Sequence, residues 1–207
     1  MNTRGAGLAA LSAALVAMLA ACGGAATASE LKPTATHSEQ AVDVEAVARD
    51  EIAAIDALGY PTELATWDFQ PGFTGTAGGT AQADYPAASE PTRIHVDTDA
   101  DDYEQYGPNI EVSVRSTVRH EFGHAIVYSL GYTSSVDAEI ALRKMCPDPA
   151  VREPENTRWG HECMAEAISE LLTVARDGER IEFYGGTDLS RQSIESARRI
   201  LEDSLTW

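Results

Sequence analysis

His120 and His124 stand four residues apart, with Glu121 directly after the first, in the segment His120-Glu121-Phe122-Gly123-His124. On a helix, residues at that spacing lie about 40° apart around the axis, so both imidazoles face one way and can hold a single zinc ion. Glu121 falls about 100° round from His120, beside such an ion and not on it. That position suits a base acting on a water that the metal activates. Two protein ligands are too few, because hydrolytic zinc sites commonly use three and leave one position open. The other histidines are His37, His95 and His161, and residues 127–134 hold none, so the pattern HExxHxxGxxH is absent. A carboxylate from another element is therefore expected, and the segment with Glu162, Glu166 and Glu170 is its source.

The elements that must carry these residues are legible in outline. Residues 113–130 have a helical pattern, with Val114, Val118, Phe122 and Ala125 opposite the histidines and Gly131 placed to end the helix. Gly123 has no side chain and lets another backbone come close. A second helix is expected over residues 160–176. Ser169 and Thr173 share the face of Glu162 and Glu166, so a neighbouring helix can approach there, while Met164, Ile168 and Leu171 point the other way. Further helices are expected over 42–58, ended by Gly59 and Pro61, over 136–145, and over 188–205 with Asp188 or Ser190 as cap. Thr92 to Asp97 alternates as a strand, Arg180 to Tyr184 is a second short one, and residues 70–91 read as loops or a short hairpin. Pro147, Pro149 and Pro154 make a loop, and there is no internal repeat and no phosphate-cradling GxxxxGK. Asp97-Thr98-Asp99-Ala100-Asp101-Asp102 starts like a calcium loop, but no Gly stands sixth and Pro108 replaces the closing Glu. It is read as a solvated acidic loop.

Two segments carry a family resemblance. His120-Glu121-Phe122-Gly123-His124-Ala125 resembles the active-site helix of gluzincin metallopeptidases. Glu162-Cys163-Met164-Ala165-Glu166-Ala167 is similar to the E-x-x-A-E-A segment of the anthrax lethal factor protease group and its small bacterial relatives. The resemblance implies an α+β, zincin-like fold: a small sheet, the active-site helix, then a mostly helical C-terminal part. It implies Zn2+ held by His120, His124 and Glu162, Glu121 as the catalytic base, and Glu166 supporting the site. A rival alignment sets Glu166-Ala167-Ile168-Ser169-Glu170 against the E-x-x-S-D segment of thermolysin-like enzymes and makes Glu166 the ligand. The chain lacks their Asn before that Glu and has Glu170 in place of Asp, so Glu162 is preferred, with His161 third. Zincins generally pair substrate with the strand before the active helix, which here is Thr92 to Asp97. The implied activity is hydrolysis of peptide bonds. Amide hydrolysis in cell-wall peptides and a non-catalytic zinc-binding lipoprotein are the alternatives. Tyr132, His161, Tyr184 and Arg158 are the candidates for stabilising an oxyanion.

The rest of the composition sets the surroundings. The chain of 207 residues suits one domain, and its 33 acidic against 15 basic residues give a net charge of −18. Such a surface serves solubility and repels nucleic acid and anionic lipid, so no nucleic-acid partner is expected. Arg4 followed by the uncharged run Ala6 to Leu19 reads as an export signal over residues 1–21. Leu19-Ala20-Ala21-Cys22-Gly23 resembles a bacterial lipobox, which implies a lipidated Cys22, a tether over 22–40 and a domain over 41–207. The expected location is extracytoplasmic, with a lipid anchor in the bacterial cell membrane or free secretion as the alternative, and the chain is expected to be a monomer. Cys146 and Cys163 are then the remaining cysteines, an even pair suited to a disulfide in an oxidising compartment. That bridge would pin the start of the Glu162 helix.

Overall fold

A computed structural model describes residues 41–73, 81–86, 90–148, 159–175 and 189–205. Helix α1 (Val44–Ala57) starts at Asp43, whose carboxylate accepts the Ala46 N–H, and it buries Val44, Ala48 and Ile55. Strands β1 (Ala65–Gln70), β2 (Ala81–Ala83) and β3 (Thr92–Asp97) follow. They form a mixed sheet in the order β1-β3-β2. β1 runs parallel to β3, with Ala65 opposite Thr92 and Gln70 opposite Asp97; β2 is antiparallel on the other side, with Gln82 opposite His95. On one face of β3 Ile94 and Val96 are fully buried. On the other, the His95 ring lies 3.1 Å from both the Asp68 and Asp84 carboxylates and links all three chain segments.

Four helices complete the described chain: α2 (Ile110–Ser129), α3 (Val136–Met145), α4 (Trp159–Val174) and α5 (Arg191–Ser204). The architecture is α+β, with a small sheet ahead of a mostly helical second half. α2 packs against β2 and β3, against α1 and against α4; α4 in turn packs against α3 and α5. No helix among the described residues is long and apolar enough to cross a membrane.

Several boundaries differ from expectation for local reasons. α2 starts three residues early because the Asn109 side chain accepts the Val112 N–H. α5 uses Ser190 as its cap. β1 was not expected, although Ala65, Trp67 and Phe69 alternate with Thr66, Asp68 and Gln70. The acidic segment is not simply solvated: Asp97 is fully buried, and residues 100–106 form a 3-10 helix. The expected signal peptide, Cys22 and its tether, the strand Arg180 to Tyr184, and Arg158 lie outside the described residues.

The contact between α2 and α4 sets the geometry of everything that follows. A Cβ added to Gly123 would sit 2.8 Å from the Ala165 carbonyl oxygen and 2.9 Å from its Cα. The backbones therefore touch at this point, as the lack of a side chain at Gly123 allows. Arg119, one turn earlier on α2, is buried and donates to Glu51 of α1 at 2.8 Å and to Thr173 of α4 at 2.6 Å. A charge pair this deep is stable only while both partners remain; removing one typically costs about 3–5 kcal/mol. Gly123→Ala gains about 1 kcal/mol of helix propensity. It also forces two backbones apart, an overpacking cost of about 1–3 kcal/mol. Chemical denaturation is expected to show a net loss of stability; a variant as stable as the parent would contradict the tight approach.

Candidate metal centre

His120 Nε2 lies 3.2 Å from Glu162 Oε2, and His124 Nε2 lies 3.3 Å from the same oxygen. These donor atoms all fall within 4.8 Å of one another. α2 aims its imidazoles here because Val114, Val118, Phe122 and Ala125 are fixed in the core on its opposite side, all fully buried. Glu162 arrives from α4, at a distance set by Gly123 against Ala165. The other cluster of this kind among the described residues is Cys146, Asp148 and Cys163, whose cysteines are joined in a disulfide.

The two candidate carboxylates occupy different places. Glu166 Oε2 lies 3.1 Å from His120 Nδ1, on the far side of the ring from Glu162. A carboxylate there accepts a hydrogen bond from Nδ1–H and so leaves the Nε2 lone pair on the side of Glu162. His161 stands apart. Its Nδ1 is 2.7 Å from Glu139 Oε2 and its Nε2 is 3.2 Å from the Tyr132 carbonyl, so both nitrogens are engaged away from the centre. This corrects its candidacy as third ligand, and its use as a free oxyanion donor. His124 Nδ1 is buried without a hydrogen-bond partner, and its ring stacks on Tyr128 with centroids 5.7 Å apart.

The charges are strongly coupled. Burial opposes the charge on Glu162, but the His124 charge and hydrogen bonds from both imidazoles hold its carboxyl well below the usual range. Burial also opposes protonation of His120, but hydrogen bonds to Glu162 and Glu166 raise its pKa well above the ordinary value. Without a metal, protons on imidazole hold this cluster together. A divalent cation that displaces them finds two neutral imidazole nitrogens and a carboxylate oxygen, the donor set of hydrolytic zinc sites. The residues present therefore fit zinc. Glu121 is almost fully buried. Burial raises its pKa against the lowering effects of the His124 and His120 charges and of the nearby Ala83 N–H.

That N–H belongs to β2, so the sheet edge lies beside Glu121. β3 is paired along both sides, so the expected substrate strand Thr92 to Asp97 has no free edge. The strand that borders Glu121 is β2, within the residues 70–91 read as loops or a short hairpin. Its Asp84 N–H turns inward to the Arg93 carbonyl, whereas its Ala83 N–H turns outward to Glu121. Two tyrosines were also missed. Tyr128 continues the spacing 120, 124, 128 along the same face of α2. Burial, the neighbouring Tyr85 and the charges of Glu162 and Glu121 all push its phenol pKa up. Tyr85 packs on it with ring centroids 4.6 Å apart, and no local pattern around Tyr85 foretells that contact.

α3 grips the first turn of α4 on both sides of Glu162. Glu139 accepts the Gly160 N–H at 2.8 Å, Arg143 Nε at 2.7 Å and His161 at 2.7 Å. Burial alone would raise the Glu139 pKa; these hydrogen bonds instead hold it down at about 2. The Arg143 guanidinium lies 4.8 Å over the Trp159 ring. The disulfide Cys146–Cys163 is present as expected and joins residues 17 apart. Comparison with protein-family models, with curated proteins and with solved structures finds no match for the chain.

Glu166→Ala removes the partner of His120 Nδ1 and is expected to weaken zinc binding about 10–100-fold by competitive chelator titration. The Cys146→Ser, Cys163→Ser double variant is expected to weaken it as well, because the turn bearing Glu162 is released; unchanged affinity would show that the bridge does not position that residue. Glu139 is depressed in the fold, so its stabilisation is full above its unfolded value of 4.5 and is lost as pH falls through about 2. Acid unfolding of the metal-free chain should lose that part of its pH dependence in Glu139→Gln, and an identical profile would contradict it.

Proposed function

We propose that the chain is a zinc-dependent metallopeptidase of the gluzincin type with a zincin-like fold, working outside the cytoplasm on a lipid anchor at Cys22. The observation that carries this reading is the convergence of His120 and His124 Nε2 on Glu162, with Glu121 beside them at a sheet edge. His120, His124 and Glu162 would hold the ion. Zinc, when bound, acidifies a water and polarises a carbonyl. Glu121, beside these ligands, would act as the base that accepts a proton from an attacking water and returns it to the leaving amine. The Ala83 N–H orients the carboxylate, and the outer edge of β2 offers backbone groups to an extended peptide. Glu166 would hold His120 in the tautomer that turns the Nε2 lone pair toward the ion. The disulfide agrees with an oxidising compartment.

The chain without residues 1–22, loaded with zinc, is to be incubated with a mixed peptide library and with purified cell-wall fragments, and the cuts read by mass spectrometry. Glu121→Ala is expected to lower cleavage about 10²–10⁴-fold while still binding zinc. Cuts that persist in the variant would overturn Glu121 as base. Cleavage confined to wall fragments would move the reading to an amidase, and zinc binding without any cleavage would move it to a binding protein.

A further inference from the structure

We propose that Asp97 and Asp102 form a second metal site, for a hard divalent cation of the calcium class, at the end of β3. Asp97 is fully buried, and its two carboxylate oxygens have different fates. Oδ1 accepts the Gly72 N–H at 2.9 Å and the Asp99 N–H at 2.8 Å. Oδ2 is buried and meets no donor. A buried anionic oxygen without a partner is costly, and native structures supply water, a proton or an ion in such places. The side chain that faces Asp97 is the carboxyl of Asp102, which forms a hydrogen bond with it when protonated, and the charges of Asp97, Asp99 and Asp101 press on it further. No base among the described residues pairs with Asp97, Asp99, Asp101 or Asp102. Two carboxyl groups thus share a gap that requires positive charge. A proton fills it in acid; at neutral pH a cation does so without protonating either.

Oxygen donors alone, supplied by two carboxylates and completed by backbone carbonyls and water in a turn, match calcium, which accepts irregular shells of 6–8 oxygens. Magnesium demands a stricter octahedron. The bound ion would tie the end of β3 to the turn after β1 and to the 3-10 helix of residues 100–106, which leads into α2. This site shares no residue with the zinc centre, so it stands or falls separately from the proposed activity.

Tyr103 provides the probe. It is buried, and its hydroxyl donates to the Asp97 carbonyl at 3.0 Å, close enough to sensitise terbium in a calcium site. Titration of the zinc-loaded chain with terbium is expected to give a saturable, one-to-one rise in tyrosine-sensitised emission that calcium reverses. Both Asp97→Asn, which keeps the Oδ1 acceptor, and Asp102→Asn, at an exposed residue, should abolish it. The His120→Ala, His124→Ala variant should retain it. Absence of saturable emission, emission that survives Asp102→Asn, or emission lost with the histidines would overturn the site and leave a water on Oδ2 as its occupant.

Discussion

α2 and α4 meet with their backbones in contact, and the candidate centre depends on that closeness. With Gly123 against Ala165, the two helices are near enough for Glu162 and Glu166 to reach opposite nitrogens of one imidazole. A larger separation would take Glu162 and Glu166 away from His120 and His124 in a buried site, at a cost of several kcal/mol. Packing and electrostatics therefore act on one another here: close packing brings the charges together, and the paired charges favour the close packing. Arg119, bridging Glu51 and Thr173, extends the same logic to α1.

The remaining elements add rigidity and access. α3 holds the first turn of α4 through Glu139 on Gly160 and His161 and through the disulfide at Cys163, so the residues flanking Glu162 are fixed from outside their own helix. Gly160 allows that grip, since a Cβ there would lie 2.9 Å from the Glu139 carbonyl oxygen. On the other side no described strand pairs with the outer edge of β2, next to Glu121, while β3 is the centre of the sheet.

Periodicity located α1 and α2 well, because apolar spacing is followed by a clear stop at Gly59 and at Gly131. The His120–Glu121–His124 face was legible because four-residue spacing has one meaning on a helix. Glu162 and Glu166 were legible as a pair from spacing, and only the resemblance separated their roles, since spacing along α4 does not say which nitrogen of His120 each one meets. β1 and β2 are short, and their partner β3 is distant in sequence, so local alternation carried too little signal. His161 illustrates the limit most clearly: it adjoins Glu162, yet its ring turns to Glu139 and Tyr132 because a helix separates neighbours by about 100°. Asp97 lay in a segment rich in charge, and only the tertiary fold reveals that it is buried.

The central claim is that one ion joins His120, His124 and Glu162. It is tested most directly by crystals grown with zinc and measured on both sides of the zinc absorption edge. The account predicts an anomalous peak within bonding distance of His120 Nε2, His124 Nε2 and a Glu162 carboxylate oxygen, with Glu166 still on His120 Nδ1. A peak ligated by Glu166 in place of Glu162, or no peak between the two histidines, would contradict it.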